Sequence, residues 1–204
     1  LSSNLQSASS MIDAEIKFGF PGGNDLLQEE TSLLIVIDIQ GNLARAAADR
    51  ELLFENARKL IQGAKVFALP IIVTEQIPEK LGPTIPEVAE WVAGIERIPK
   101  ETFSCCENAS FMEAFSKIGR KQILLCGIES HICVYQTAMD LINMGCEVHI
   151  VADAISSRTI QNREIGISKM TSAGAHLTST ETVLFELLKT AGSDKFKDIF
   201  KIVK

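Results

Sequence analysis

Apolar residues fall along this chain in two alternating patterns. The first is a set of short, nearly continuous runs: Leu33 to Ile37, PIIVTE from Pro70, KQILLC from Lys121 and CEVHIVAD from Cys146. Such runs read as strands buried on both faces of a parallel sheet. GIERIPK, ending at Lys100, is a weaker strand of the same kind, and a short one is expected near Ala175 to Leu177. The second pattern has helical spacing. Leu53, Ala57, Leu60, Ile61, Ala64, Phe67 and Ala68 share one face, as do Val134, Tyr135, Ala138, Leu141 and Ile142.

Punctuation residues sharpen these boundaries. Pro70 closes the first long helix, and a loop with Pro78, Pro83 and Pro86 leads to a short helix around Glu87 to Trp91. Asn108 stands where it would cap ASFMEAFSKIG, and Gly145 stops the central helix. A helix follows over Thr159 to Ala173. Thr178 and Glu181 then have capping-box spacing ahead of Val183, Leu184, Leu187 and Leu188. The tail FKDIFKIVK reads either as an edge segment or as a docking helix.

Strands alternating with helices imply a parallel sheet with right-handed crossovers. In the doubly wound order 3-2-1-4-5-6, strands one and four are neighbours whose exits diverge, and ligands bind at such a point. Asp38 ends the first strand and Lys100 the third. A turn from Gly127 leaves the fourth strand and starts a helix near His131.

The 204 residues suffice for one α/β domain with a substantial core. Residues 1–30 read as a leader and surface arm, the first ten vector-derived, and 31–204 as a single domain. A net charge of −6 and the lack of a basic cluster argue against nucleic acid as a partner. No apolar run approaches the roughly 20 residues that span a bilayer, so no membrane is expected. Cys105, Cys106, Cys126, Cys133 and Cys146 form no CxxC pair. They read as reduced thiols of a cytoplasmic protein, and the three histidines show no metal-ligand spacing with them.

Cys133 lies in the first turn of its helix, where unpaired amides and the helix dipole would favour a thiolate. Asp38 could take its proton, and Lys100 could hold Asp38 and favour charge at the sulfur. Amides of the Glu129-to-Cys133 turn would then face an oxyanion. Taken singly, each residue has a plainer reading: a turn aspartate, a solvated lysine, a small core cysteine.

Three motifs then carry a resemblance: D-I-Q at Asp38 to Gln40, I-P-K-x-x-F-S at Ile98 to Ser104, and G-I-E-x-x-x-C-V at Gly127 to Val134. Together the chain resembles the isochorismatase-like cysteine hydrolase superfamily. TEQIPEKLGPTIPE, DAISSR and the tail resemble its short isochorismatase-domain-containing members. The resemblance implies a Rossmann-like three-layer α/β/α fold with a six-stranded parallel sheet. It also implies an Asp38–Lys100–Cys133 triad and a cis peptide at Ile128–Glu129 beside the oxyanion amides. The departures redirect the chemistry. TEQIPEK lacks the D-x-H metal site that nicotinamidases of the superfamily carry, so neither a metal nor another cofactor is expected. Cysteine stands where isochorismatases proper have an acidic residue, which favours amidase-like thiol chemistry.

Gln40, Phe103, Ser104 and His131 are candidate pocket residues, with Trp91 a further candidate wall. Cys105 and Cys106 read as pocket lining or bystanders, and Cys126 and Cys146 as core. Asp153 reads as a fixing point for the loop DAISSR. The resulting expectation is a hydrolase that forms a covalent thioester with a small amide or related acyl substrate, in a homo-oligomer. The competing expectation is a catalytically silent hydrolase fold that works as a binding or scaffold partner. A nucleotide-binding domain is disfavoured, because no phosphate-cradling glycine motif follows a strand.

Overall fold

A computed structural model describes residues 26–204. The expected leader and most of the arm lie outside these residues. In chain order the elements are β1 (Ser32–Ile37), α1 (Gly41–Arg45), α2 (Arg50–Val66), β2 (Ile71–Gln76), α3 (Pro78–Leu81), α4 (Pro86–Ala89) and β3 (Arg97–Lys100). There follow α5 (Ala109–Ile118), β4 (Gln122–Ile128), a π-helical turn (Ser130–Val134) that runs into α6 (Tyr135–Asn143), and β5 (Glu147–Ser156). α7 (Ile160–Ser172), β6 (His176–Thr178), α8 (Thr180–Leu188) and α9 (Phe196–Val203) complete the chain.

The six strands form one all-parallel sheet in the order β3-β2-β1-β4-β5-β6. β1 and β4 lie side by side at its centre, so their exits open the crevice expected of a doubly wound sheet. Alternation along β1 builds both cores. Leu34 and Val36 join the cluster beneath α2, α8 and α9. Leu33, Ile35 and Ile37 join the cluster beneath α5, α6 and α7. All five are fully buried, each contributing about 1.5–3 kcal/mol of transfer free energy.

Gly127 marks where β4 must pass β1 most closely. Its φ is 122°, and a Cβ there would lie 2.0 Å from the Ile37 carbonyl oxygen. Glycine is the only residue that combines this backbone with this approach.

Several local readings change. The tail resolves as the helix α9, with Ile199 buried in the α2-side core and Phe196, Ile202 and Val203 packed around it. β5 runs on past Asp153 to Ser156, through a register shift against β4. The α8 cap is Ser179, whose Oγ accepts from Thr182 N, one residue beyond the expected Thr178. Thr178 is committed to β6, where it pairs with Val151, and so has no freedom to cap. Leu27, read as part of a surface arm, is fully buried, and Gln28 N donates to Gln122 Oε1 at 2.9 Å.

Candidate active site

Three strand exits meet at the carboxyl edge of the sheet. Asp38 leaves β1 through left-handed backbone, φ 52°, with its N–H donating to the Thr74 carbonyl at 3.2 Å. Ile77 leaves β2 in a left-handed conformation too, φ 37°, and its N–H donates to Lys100 O at 3.0 Å. A β-branched residue seldom adopts such a φ, so the neighbouring strand enforces this turn. Lys100 is the last residue of β3, in register with Gln76 of β2.

Lys100 Nζ lies 2.7 Å from Asp38 Oδ2, and neither side chain reaches solvent. The contact is a buried ion pair. Asp38 Oδ1 accepts from Thr74 Oγ1 at 2.7 Å. The ammonium donates instead to Gln76 Oε1 at 2.6 Å and to the Thr102 and Phe103 carbonyls at 3.1 and 3.3 Å. Burial alone would pull the Lys100 pKa down. The charge of Asp38 outweighs it and holds the ammonium above its ordinary value.

Cys133 enters from the other side of β1, in the π-helical turn after β4. Its Sγ lies 4.0 Å from Gln76 Oε1, and the residue is 5% exposed. Burial first, then the Asp38 charge, pushes this thiol up to about 12, against the pull of Lys100. Desolvation and the Asp38 charge outweigh Lys100 here and favour the protonated sulfur. The Ile128–Glu129 peptide preceding this turn is cis.

Gln76 and Thr74 escaped the sequence reading, although TEQ offered a signal. Residues two apart on a strand share a face, and both are polar at the carboxyl end of a buried run. Gln76 touches amine and thiol together. Its backbone N–H is held by Gln40 Oε1 at 2.6 Å, and its Nε2 donates to Glu101 O at 2.7 Å.

The candidate pocket residues part company here. Gln40 is fully buried, and its Nε2 donates to the Gln76 and Gly82 carbonyls at 2.9 and 2.8 Å. It braces β2 instead of lining an opening. Ser104 is buried as well; its Oγ donates to Asp140 Oδ2 at 2.5 Å and ties the loop after β3 to α6. Phe103 is 53% exposed beside its Lys100-bound carbonyl. His131 is half-buried, with Nδ1 3.0 Å from Ser157 Oγ. Trp91 packs against the α2-side core, whereas Cys133 belongs to the opposite one. Asp153 holds the start of α8, accepting from Thr180 N and Oγ1 at 2.8 and 3.0 Å.

Cys105 is buried beside the ion pair, its Sγ 3.9 Å from Thr74 Oγ1, and burial pushes it up to about 11. Cys126 and Cys146 are core, and Cys106 is half-buried. A hollow of about 340 Å³ lies over the exits of β2 and β3, lined by Ile77, Pro78, Pro99, Lys100, Glu101 and Thr102 among others; of the three candidate catalytic residues Lys100 belongs to its lining, and Asp38 and Cys133 do not. Among the described residues, no group of three or more His, Cys, Asp or Glu is placed to hold a metal ion. No helix there is long and apolar enough to cross a membrane.

Comparison with known proteins fits this frame. Isochorismatase domain-containing protein 2 of Xenopus laevis is 37% identical over 177 residues, covering 87% of this chain and 85% of its own. The solved structure of MAR1 ribonuclease from Caenorhabditis elegans is 34% identical with a TM-score of 0.83, over 88% of this chain and 92% of that one. The Escherichia coli YcaC product, described as an octameric hydrolase of unknown specificity, shares the fold at 24% identity and a TM-score of 0.83. That match covers 89% of this chain and 92% of that one. The family model for the isochorismatase domain matches residues 32–182, and the chain belongs to that family.

Proposed function

We propose that the chain is a metal-independent cysteine hydrolase acting on a small amide or related acyl substrate. The observation that carries this reading is the buried Asp38–Lys100 pair, with Gln76 Oε1 standing between the Lys100 ammonium and the Cys133 sulfur. A thiol held near 12 is a poor nucleophile until a base removes its proton. Asp38 takes that proton as the sulfur bonds to the substrate carbonyl carbon. Lys100, held charged by its partners, keeps the carboxylate oriented and stabilises the negative charge that builds beside it. The carbonyl π electrons move to oxygen, which the Glu129 and Cys133 amides in the opening turn of the helix receive.

Collapse of that intermediate breaks the carbon–nitrogen bond. The amine leaves with the proton carried by Asp38, and an acyl thioester remains on Cys133. Water, giving its proton to Asp38, then attacks the thioester. The second intermediate expels the sulfur, which recovers the proton from Asp38, and the acid product departs.

The C. elegans relative carries the description ribonuclease. For this chain a net charge of −6 and a buried thiol support a small carbonyl substrate over a phosphodiester backbone. We also propose self-association, with the exposed Ile160 and Ile165 of α7 as contact residues.

The near-complete burial of Cys133 favours one competing reading, a silent hydrolase fold that acts as a binding partner. Incubation with small aldehydes and amides, followed by peptide mass spectrometry, separates the two. An adduct on Cys133 supports the enzyme. Labelling of Cys106 with Cys133 untouched would remove it as the nucleophile.

A further inference from the structure

The turn that bears Cys133 has three consecutive polar anchors, and all three reach one segment. Glu129 Oε1 accepts from both the backbone N–H and the Nε of Arg158, at 3.0 and 2.9 Å. Ser130 Oγ donates to Arg163 O at 3.0 Å. His131 Nδ1 lies 3.0 Å from Ser157 Oγ. Close packing completes the same joint: a Cβ on Gly166 would come within 2.6 Å of the Ser130 backbone, so α7 touches the turn directly. The Glu129 carbonyl in turn accepts from Ile132 N at 3.0 Å and Val134 N at 3.3 Å, the residues on either side of the cysteine.

The partners at the first anchor are unequal. The Glu129 side chain is 7% exposed and the Arg158 side chain 58%. A largely buried carboxylate needs its charge compensated, and both bonds that Glu129 Oε1 accepts come from Arg158. The bond from Arg158 Nε is charge-assisted and directional, and it acts on the residue whose carbonyl frames the nucleophile.

We propose that Arg158 is a positioning residue for Cys133, acting through Glu129 to hold the nucleophile turn at its reactive geometry. The inference rests on the reading of Cys133 as nucleophile. It gives the segment from Ser157 to Gly166 a task besides packing. Displacements of about 1 Å at a reacting centre cost on the order of a hundredfold in rate.

The test compares the unmodified chain with Arg158→Ala and Arg158→Lys, using two alkylating probes of one size, neutral iodoacetamide and anionic iodoacetate. Labelling of Cys133 is followed by peptide mass spectrometry, with Cys106 as internal reference. Arg158→Ala is expected to slow both reagents at Cys133 by about tenfold or more. Arg158→Lys, which keeps a cation near Glu129, is expected to recover part of that loss. Equal rates in all three proteins would overturn the proposal. Slowing of iodoacetate alone would also overturn it, since Arg158 would then be reading an anion and not positioning the sulfur. Amide hydrogen exchange is measured in parallel. Arg158→Ala is expected to raise exchange across Glu129 to Tyr135 while leaving β1 unchanged, and unchanged exchange there would sink the clamp. If Cys133 of the unmodified chain resists both reagents, the nucleophile reading fails, and the exchange result still judges the clamp.

Discussion

Lys100 and Asp38 meet across an intervening strand: they end β3 and β1, β2 lies between, and Nζ is 2.7 Å from Oδ2 in full burial. The pair is therefore an electrostatic brace for three strand exits as well as a candidate acid–base centre. Removing one member leaves the other charge buried without compensation. Lys100→Met is expected to lose about 3–5 kcal/mol in urea denaturation, and the double variant with Asp38→Leu to recover a good part of it. Equal instability in single and double variants would mean that the two charges do not depend on each other.

Asp38→Asn removes the base that the Cys133 thiol needs while keeping the shape of the side chain. Hydrolysis is expected to fall by about 10²–10⁴, the range for a lost general base. Alkylation of Cys133 at neutral pH is expected to slow with it, since burial keeps the sulfur protonated. Unchanged hydrolysis with the stability of the unmodified chain would remove Asp38 as the base.

The buried thiols set an alkaline limit on stability. Cys105 and Cys133 are held up to about 11 and about 12 from an ordinary 9.0, with burial the first cause in each. In the folded state they keep protons that the unfolded chain releases. Their contribution is intact below the unfolded value and is lost as pH rises from about 9 through the folded values. His149 works in the opposite direction, since burial lowers its pKa. Its contribution is present above the unfolded value and fades as pH falls through the folded one. Urea midpoints between pH 5 and 10.5 are expected to peak between these flanks, and Cys105→Ala to flatten the alkaline one.

Gly127→Ala is expected to cost at least about 3 kcal/mol or to prevent soluble expression, because a Cβ would meet the β1 backbone at 2.0 Å in a left-handed conformation. A mild effect in thermal unfolding would show that β1 and β4 can separate there.

Labelled single-stranded RNA is expected to remain intact and unbound at low salt, given the net charge of −6. Salt-dependent binding in a gel-shift assay would reverse the small-molecule reading.

The fold was readable because burial and periodicity agree. The runs at Leu33, Ile71 and Gln122 are apolar on both faces, and the helix stripes at Leu53–Ala64 and Val134–Leu141 face them. The residue types of the site were readable at strand ends, where buried apolar runs stop at a charged or sulfur side chain. Contacts set by the loops were not. Gln40 and Ser104 looked available for a pocket, yet each is satisfied by backbone or side-chain partners far away in sequence. A helix start is a local signal, whereas desolvation depends on everything packed around it.

The two-sided packing of β1 ties the chemistry to a single strand register. Slipping that strand by one residue would exchange the side chains delivered to the two cores and shift Asp38 off the crevice in the same step. No intermediate arrangement keeps either core while relocating the carboxylate. Changes in what the molecule accepts must therefore come from the segments beyond the strand ends, with the acid left where it stands.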